Sequence, residues 1–269
     1  MKRKSVRLRQ ERDDSGRSLE YVKQENMPFG YVEAYKSLRT NLRFITATDE
    51  AKSFVITSAL GRESKSNTAI NLAVTLAEDD KKVILVDGDL RKPAVHRLMK
   101  LNPRGKGLSG LVMGEYPLQN AVIHSKEYGI DILPVGAVPP NPTEILSHVR
   151  MANLLKVLRE QYDYVIVDAP PVSVVTDAAI IGGMVDGALL VVRSGYAPVE
   201  MVQLAKRKLN DVNVKIYGVI LSRYDAKKVG RQSGYYYSYK GYGYDYGYGY
   251  GYGYDQNRGR KGGKRKTEE

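Results

Sequence analysis

Two sets of side chains in this sequence could do chemistry on one another: a lysine–serine loop with strand-end aspartates, and a dense run of phenols. The string Ala59-Leu60-Gly61-Arg62-Glu63-Ser64-Lys65-Ser66-Asn67-Thr68 follows the apolar run Phe54–Thr57 and enters a segment of helical periodicity. Lys-Ser between a strand and a helix is the layout of a phosphate-binding loop. Backbone N–H groups and the helix N-terminus surround the phosphates, the lysine reaches their terminal oxygens, and the serine hydroxyl ligates Mg²⁺. Residues Gly61, Arg62, Glu63, Ser64, Lys65, Ser66 and Asn67 are therefore the candidate cradle. The spacing departs from G-x-x-x-x-G-K-[ST], with Ala59 at the first glycine position and Ser64 at the last, so this string alone could also be a loop with a helix-capping serine. Two further segments argue for the cradle. Val83–Val86 runs into Asp87-Gly88-Asp89-Leu90-Arg91, and Tyr164–Val167 runs into Asp168-Ala169-Pro170-Pro171. Carboxyl ends of parallel strands are where open α/β sheets bind ligands. Three acids there, with Lys65-Ser66, describe a Mg²⁺–nucleotide site.

The phenols lie at Tyr235, Tyr236, Tyr237, Tyr239, Tyr242, Tyr244, Tyr246, Tyr248, Tyr250, Tyr252 and Tyr254, eleven of the 21 tyrosines. No aliphatic core residue accompanies them, and alternating glycine carries a high entropic cost of ordering. The expectation is a strap of solvent-exposed hydroxyls.

The elements that must position the first set are legible in the hydropathy. Apolar, β-branched runs occur at Phe54–Thr57, Val83–Val86, Ile130–Val135, Tyr164–Val167, Ala188–Val192 and Ile216–Leu221. They are near-continuous, as strands covered on both faces are. Helical periodicity marks Thr68–Ala77, Thr143–Gln161 and Pro198–Leu209, with an amphipathic helix over 28–48 ahead of the first strand. Gly136–Pro142 is too rich in proline for regular structure. The fold class predicted is α/β, a doubly wound, mostly parallel sheet with helices on both faces. Three regions are expected: a basic N-terminus over 1–25, a catalytic domain over 26–225, and a tail over 226–269.

The 269 residues contain no cysteine, which excludes disulfides and thiolate metal sites, and no apolar run long enough to span a bilayer. The formal charge of +12 is concentrated at the ends: six cations against three acids in residues 1–14, and six against two in 256–269. Such ends are solvated or weakly attracted to anionic lipid headgroups or nucleic acid.

Taken together, these motifs resemble the bacterial tyrosine kinases that act with capsule and exopolysaccharide assembly systems. The resemblance rests on the Walker A-like loop Ala59–Thr68 and the A′ motif Ile84-Leu85-Val86-Asp87-Gly88-Asp89-Leu90-Arg91-Lys92-Pro93. It rests also on the Walker B run Val165-Ile166-Val167-Asp168, the loop Gly136–Glu144 and the tyrosine tail. Glu33-Ala34-Tyr35-Lys36-Ser37-Leu38-Arg39 is similar to the family's E-x-x-R-x-x-R oligomerisation motif, with Glu33, Lys36 and Arg39 at its three positions.

The resemblance implies ATP and Mg²⁺ as cofactors. Lys65 and Ser66 would hold phosphate and metal, Asp168 would hold the metal from the opposite side, Asp87 would join the metal set, and Arg91 would join the nucleotide set. Asp87 and Asp89 would assist deprotonation of the attacking tyrosine, whose phenol of pKa ~10 needs such help at neutral pH. It implies a homo-oligomeric ring in which one subunit's tail enters its neighbour's site. A membrane-anchored activator would recruit the cytoplasmic chain to the inner face of the plasma membrane, and a cognate tyrosine phosphatase would reverse the reaction. Weak contact with anionic membrane is compatible with this, and nucleic acid is not expected as a partner. The sequence departs from the family at Arg62 and Ser64, where P-G-E-G-K-S has glycines; at Lys36, where the motif has arginine; and at Ser222, where an asparagine often lies near the adenine. Two other readings remain open. One is a partitioning or cell-division ATPase of the same superfamily, although its early signature lysine is Leu60 here. The other is a non-catalytic module that self-associates through its Gly-Tyr tail.

Overall fold

The computed structural model describes residues 19, 21–24, 26–48, 50–102 and 105–224. The chain divides into two units, Met1–Tyr224 and Asp225–Glu269. The second unit, with all eleven candidate acceptor tyrosines, lies outside the described residues, as do residues 1–18.

The first unit begins with α1 (Phe29–Thr46), then β1 (Ser53–Ser58), α2 (Lys65–Ala77) and β2 (Val83–Asp87). The short helices α3 (Val95–Leu98) and α4 (Leu108–Met113) precede the strands β3 (Ile123–Ser125) and β4 (Ile130–Leu133). Two helices, α5 (Pro142–Ser147) and α6 (Val149–Gln161), lead to β5 (Tyr164–Asp168). Then follow α7 (Asp177–Gly182), β6 (Gly187–Arg193), α8 (Val199–Asn210) and β7 (Ile216–Ser222).

The strands form one seven-stranded sheet in the order β3-β4-β2-β5-β1-β6-β7. Every neighbouring pair is parallel except β3 with β4. Within the central strands, successive residues serve opposite cores. Val55, Ile84, Val86, Val165, Val167 and Leu190 pack under α4 to α8. Phe54, Ile56, Leu85, Ile166, Leu189 and Val191 pack against α1 and α2. A side-chain period of two with both faces covered is why these strands read as continuous apolar runs. The order places β5 between β1 and β2, so the three carboxyl ends that carry Ala59, Asp87 and Asp168 lie side by side at a switch in strand order.

All six expected strands form, and the structure adds β3, a three-residue antiparallel edge too short to announce itself by period. The expected helix Thr143–Gln161 is two helices. His148 breaks it with extended backbone (φ −68°, ψ 141°) and caps α6, its Nδ1 accepting from the Arg150 N–H at 3.2 Å. The helix expected over 28–48 forms, but Phe29 and Phe44 point outward and Leu42 is its fully buried apolar residue.

Candidate active site

The loop between β1 and α2 keeps the backbone of a glycine-rich cradle without the glycines. Arg62 (φ +66°) and Ser64 (φ +68°) both lie in the left-handed region, which costs a side-chain-bearing residue about 1–2 kcal/mol. The ends of β6 and β7 hold this shape. Glu63 is fully buried; its carboxylate accepts from the Leu60 N–H (2.6 Å) and the Arg193 N–H (3.1 Å). The Ser222 hydroxyl donates to the Glu63 carbonyl at 2.8 Å, and Arg193 Nη1 donates to the Arg62 carbonyl at 3.4 Å. Arg223 Nε completes the clamp, donating to Ser64 Oγ at 3.3 Å. Glu63 and Ser222 thus brace the cradle from behind, Glu63 with a carboxylate turned to backbone amides. Arg193 is a contributor that the sequence reading missed; its position at the end of an apolar run was the available signal.

Lys65 opens α2, and its ammonium reaches the aspartates of the neighbouring strands. Nζ donates to Asp89 Oδ2 at 3.0 Å, to Asp168 Oδ1 at 3.3 Å and to Ser66 Oγ at 3.3 Å. Asp87 and Asp168 are direct register partners on β2 and β5, both fully buried. The chain turns after Asp87 through Gly88, whose N–H donates to the Asp168 carbonyl at 2.8 Å. A Cβ on Gly88 would lie 2.9 Å from Val167 Cγ1 and 3.0 Å from the Asp168 carbonyl oxygen, so only glycine allows this approach. Beyond it, the carboxylates organise their own loop: Asp87 accepts from the Asp89 N–H (3.3 Å) and the Val95 N–H (3.1 Å), and Asp89 accepts from the Lys92 N–H (3.0 Å).

The electrostatics are those of a site prepared for added positive charge. Burial, reinforced by the Asp168 carboxylate, pushes the Asp87 carboxyl above the ordinary carboxylate range. Burial also raises Asp168, against the pull of Lys65 and a hydrogen bond from Ser66. Burial would lower the Lys65 ammonium, but Asp168 and Asp89 outweigh it and hold it above its usual value. Among the described residues, no group of three or more His, Cys, Asp or Glu could cage a metal alone. The donors present are the Ser66 hydroxyl and the Asp168 and Asp87 carboxylates. This all-oxygen set fits Mg²⁺, which keeps several waters and takes one or two carboxylates plus substrate phosphates.

Arg91 is placed outside this cluster. Its Nε donates to Asp177 Oδ2 at 2.7 Å, and its Nη2 to Asp177 Oδ1 (3.0 Å) and Thr143 Oγ1 (2.8 Å). Asp177, fully buried on α7, had no signal in the sequence beyond its position at a helix start. The three positions expected to serve oligomerisation divide. Glu33 and Lys36 pair with each other at 2.9 Å on the exposed side of α1, whereas Arg39 turns to the end of α2, donating to the Thr75 carbonyl at 2.9 Å and approaching Glu78 at 3.4 Å. Asn67 lies in the first turn of α2, where the Asn71 amide donates to its side chain at 2.6 Å. Beyond Gly61 the cradle is open, with nothing within 4 Å of where a Cβ would be.

A parallel sheet with a Lys-Ser cradle after its first strand and aspartates ending two neighbours defines a P-loop nucleotide-binding protein. A family model described as "AAA domain" matches residues 51–214. The tyrosine-protein kinase YwqD of Bacillus subtilis (strain 168) is 41% identical over 209 residues, covering 77% of this chain and 86% of that protein. Two solved structures superpose with a TM-score of 0.69. The chimerical protein CapA2B2 is 34% identical and covers 78% of this chain and 90% of its own. The kinase domain of the Escherichia coli tyrosine kinase ETK is 36% identical and covers 74% and 81%. The chain belongs to the bacterial tyrosine kinase family, with protein-tyrosine kinase as its activity.

Proposed function

We propose that this chain transfers the γ-phosphoryl group of ATP to the tyrosines between Tyr235 and Tyr254 of a second copy within a homo-oligomeric ring. The observation that carries this reading is the convergence of Lys65 Nζ on Asp89 and Asp168 at 3.0 and 3.3 Å. This cluster of the Lys65 ammonium with the strand-end acids supports reading Lys65 as the phosphate-binding cation. In this reading Lys65 leaves the carboxylates for the transferred phosphoryl oxygens. Its positive charge is most effective there because the site is shielded from water. Asp87, whose carboxyl burial raises above the ordinary carboxylate range, accepts the phenolic proton, with Asp89 beside it. Mg²⁺, held by Ser66, Asp87 and Asp168, would neutralise phosphate charge when bound. The first-turn N–H groups of α2 supply the remaining donors.

The ring, the entry of one copy's tail into its neighbour's site, and Glu33, Lys36 and Arg39 as its contacts are part of the same proposal. Each tail phosphate adds about −1.5 to −2 charge, so heavily phosphorylated tails repel one another and loosen the ring, which regulates capsule or exopolysaccharide synthesis. A cognate tyrosine phosphatase resets it. Among the described residues no helix is long and apolar enough to cross a membrane. A membrane-anchored activator would bring the chain to the inner membrane face. The likeness to the chimerical protein CapA2B2 supports an activator partner. The test is intact mass after co-expression with the cognate activator. Wild-type chain should carry several phosphates that map to tail tyrosines, and Lys65→Met should carry none; an unmodified wild-type mass would refute the reading.

A further inference from the structure

A second polar feature borders the A′ loop. An open cavity of about 610 Å³ is lined by Arg91, Lys92, Pro93, His96, Arg97, Gly136 and Val138. Its cations are differently engaged. Arg91 is tied to the buried Asp177. Among the described residues, no ion pair or hydrogen bond engages the Lys92 ammonium or the Arg97 guanidinium, and both side chains are exposed. The lining also includes Val138, an apolar side chain 59% exposed. The chain beside it is held where the Ser109 hydroxyl donates to the Ala137 carbonyl at 2.6 Å. Two such cations in one cavity with an exposed valine suit an anion carried on a flat hydrophobic group. The cavity is coupled to the catalytic carboxylates: its lining includes Lys92, Pro93, His96 and Arg97, and within this stretch the Lys92 and Val95 N–H groups donate to Asp89 and Asp87.

We propose that this cavity is a phosphotyrosine-binding site. It would seat an already phosphorylated tyrosine of the Gly-Tyr tail while a later tyrosine of that tail meets Asp87 and Asp89. The tail supplies the spacing, with tyrosine at every second position from Tyr242 to Tyr254. Were the bound tail extended, residues i and i+2 would share one face about 6.6–6.8 Å apart, so one tail would offer successive phenols along that face. The ring lies on Val138, and the phosphate takes charge-assisted hydrogen bonds from Lys92 and Arg97. Phosphorylation would then favour further phosphorylation of the same tail. This rests on the reading of the tail as substrate.

The test is fluorescence anisotropy on the full chain, without ATP or metal. The probe is a labelled peptide of residues 241–254, either unmodified or phosphorylated at Tyr248. The phosphopeptide should bind about tenfold or more tightly than the unmodified peptide. The double variant Lys92→Gln/Arg97→Gln should lose that preference. A control pair on distant exposed positions, Lys156→Gln/Lys206→Gln, should keep it. Phenyl phosphate should displace the probe at lower concentration than inorganic phosphate. Equal affinity for the two peptides, a preference that survives in the Lys92/Arg97 pair, or equal displacement by inorganic phosphate would each overturn the proposal. Binding needs no turnover, so failure here with tail phosphorylation intact removes only the pocket. A chain that binds phosphopeptide but never phosphorylates itself removes only the kinase reading of the tail.

Discussion

The two loops that meet at the candidate active site reach their shapes by opposite routes. The A′ loop from Gly88 to Arg97 is organised locally: the carboxylates of Asp87 and Asp89 accept from N–H groups two to eight residues further on, and glycine stands where the backbone passes β5. The cradle from Ala59 to Ser64 lacks glycine at its two left-handed positions and is held from outside, by Arg193 and Ser222 acting on the backbone and carboxylate of Glu63. Sequence motifs record the first kind of geometry well because the residues that make it are adjacent. They record the second poorly, since the strain is offset by residues some 130 to 160 positions away.

The sharpest way to break both loops at once is Lys65→Met, which removes the cation they share; tail phosphorylation should fall by about 10³-fold or more in a quantitative phosphotyrosine assay. Next is Glu63→Ala, which strands the Leu60 and Arg193 N–H groups. Urea unfolding should show a loss of about 2–4 kcal/mol, and ATP should bind more weakly; an unchanged midpoint would mean that the cradle holds itself. For the A′ loop, Gly88→Ala should cost about 1–3 kcal/mol, because Val167 and the Asp168 carbonyl must yield to the new methyl.

The buried charge gives a pH test. The folded pKa of Asp87 lies above its unfolded value, so the native state binds this proton more tightly. Stability from this group is full below the unfolded pKa and is lost as pH rises through the folded value. Asp87→Asn should therefore unfold later than wild type near pH 8, by about 1–2 kcal/mol, while losing activity. A wild type that gains stability over that interval relative to the variant would contradict the sign. The smallest effect is Ser64→Gly, which relieves a left-handed serine and should stabilise by up to about 1 kcal/mol, near 2–4 °C in Tm.

Much of this was legible before the structure. Continuous apolar runs gave six of the strands, and Asp87, Asp89 and Asp168 were placed at strand ends by runs that stop at an acid. Lys65 and Ser66 were readable because Lys-Ser sits between two clear periodicities. The break at His148 was not readable, since apolar spacing continues through it and its cap is an imidazole. Nor was the role of Glu63 readable: its place in the loop put it among the cradle residues, and only the fold brings Arg193 and Ser222 behind it and turns its carboxylate to backbone amides. Asp177 follows the same rule: its partner Arg91 lies 86 positions away.

The central claim is that one copy's site, built on Lys65 and the three aspartates, phosphorylates the tyrosines of another copy. The most direct measurement mixes two full-length chains in the presence of ATP, Mg²⁺ and the activator. One carries Lys65→Met with its tail intact; the other has a wild-type site and Phe at all eleven tail positions from Tyr235 to Tyr254. Mass spectrometry should find phosphate on the tail of the Lys65→Met chain in the mixture and on neither chain alone. A Lys65→Met tail that stays unmodified in the mixture, while unaltered wild-type chain is phosphorylated in parallel, would contradict transfer between copies.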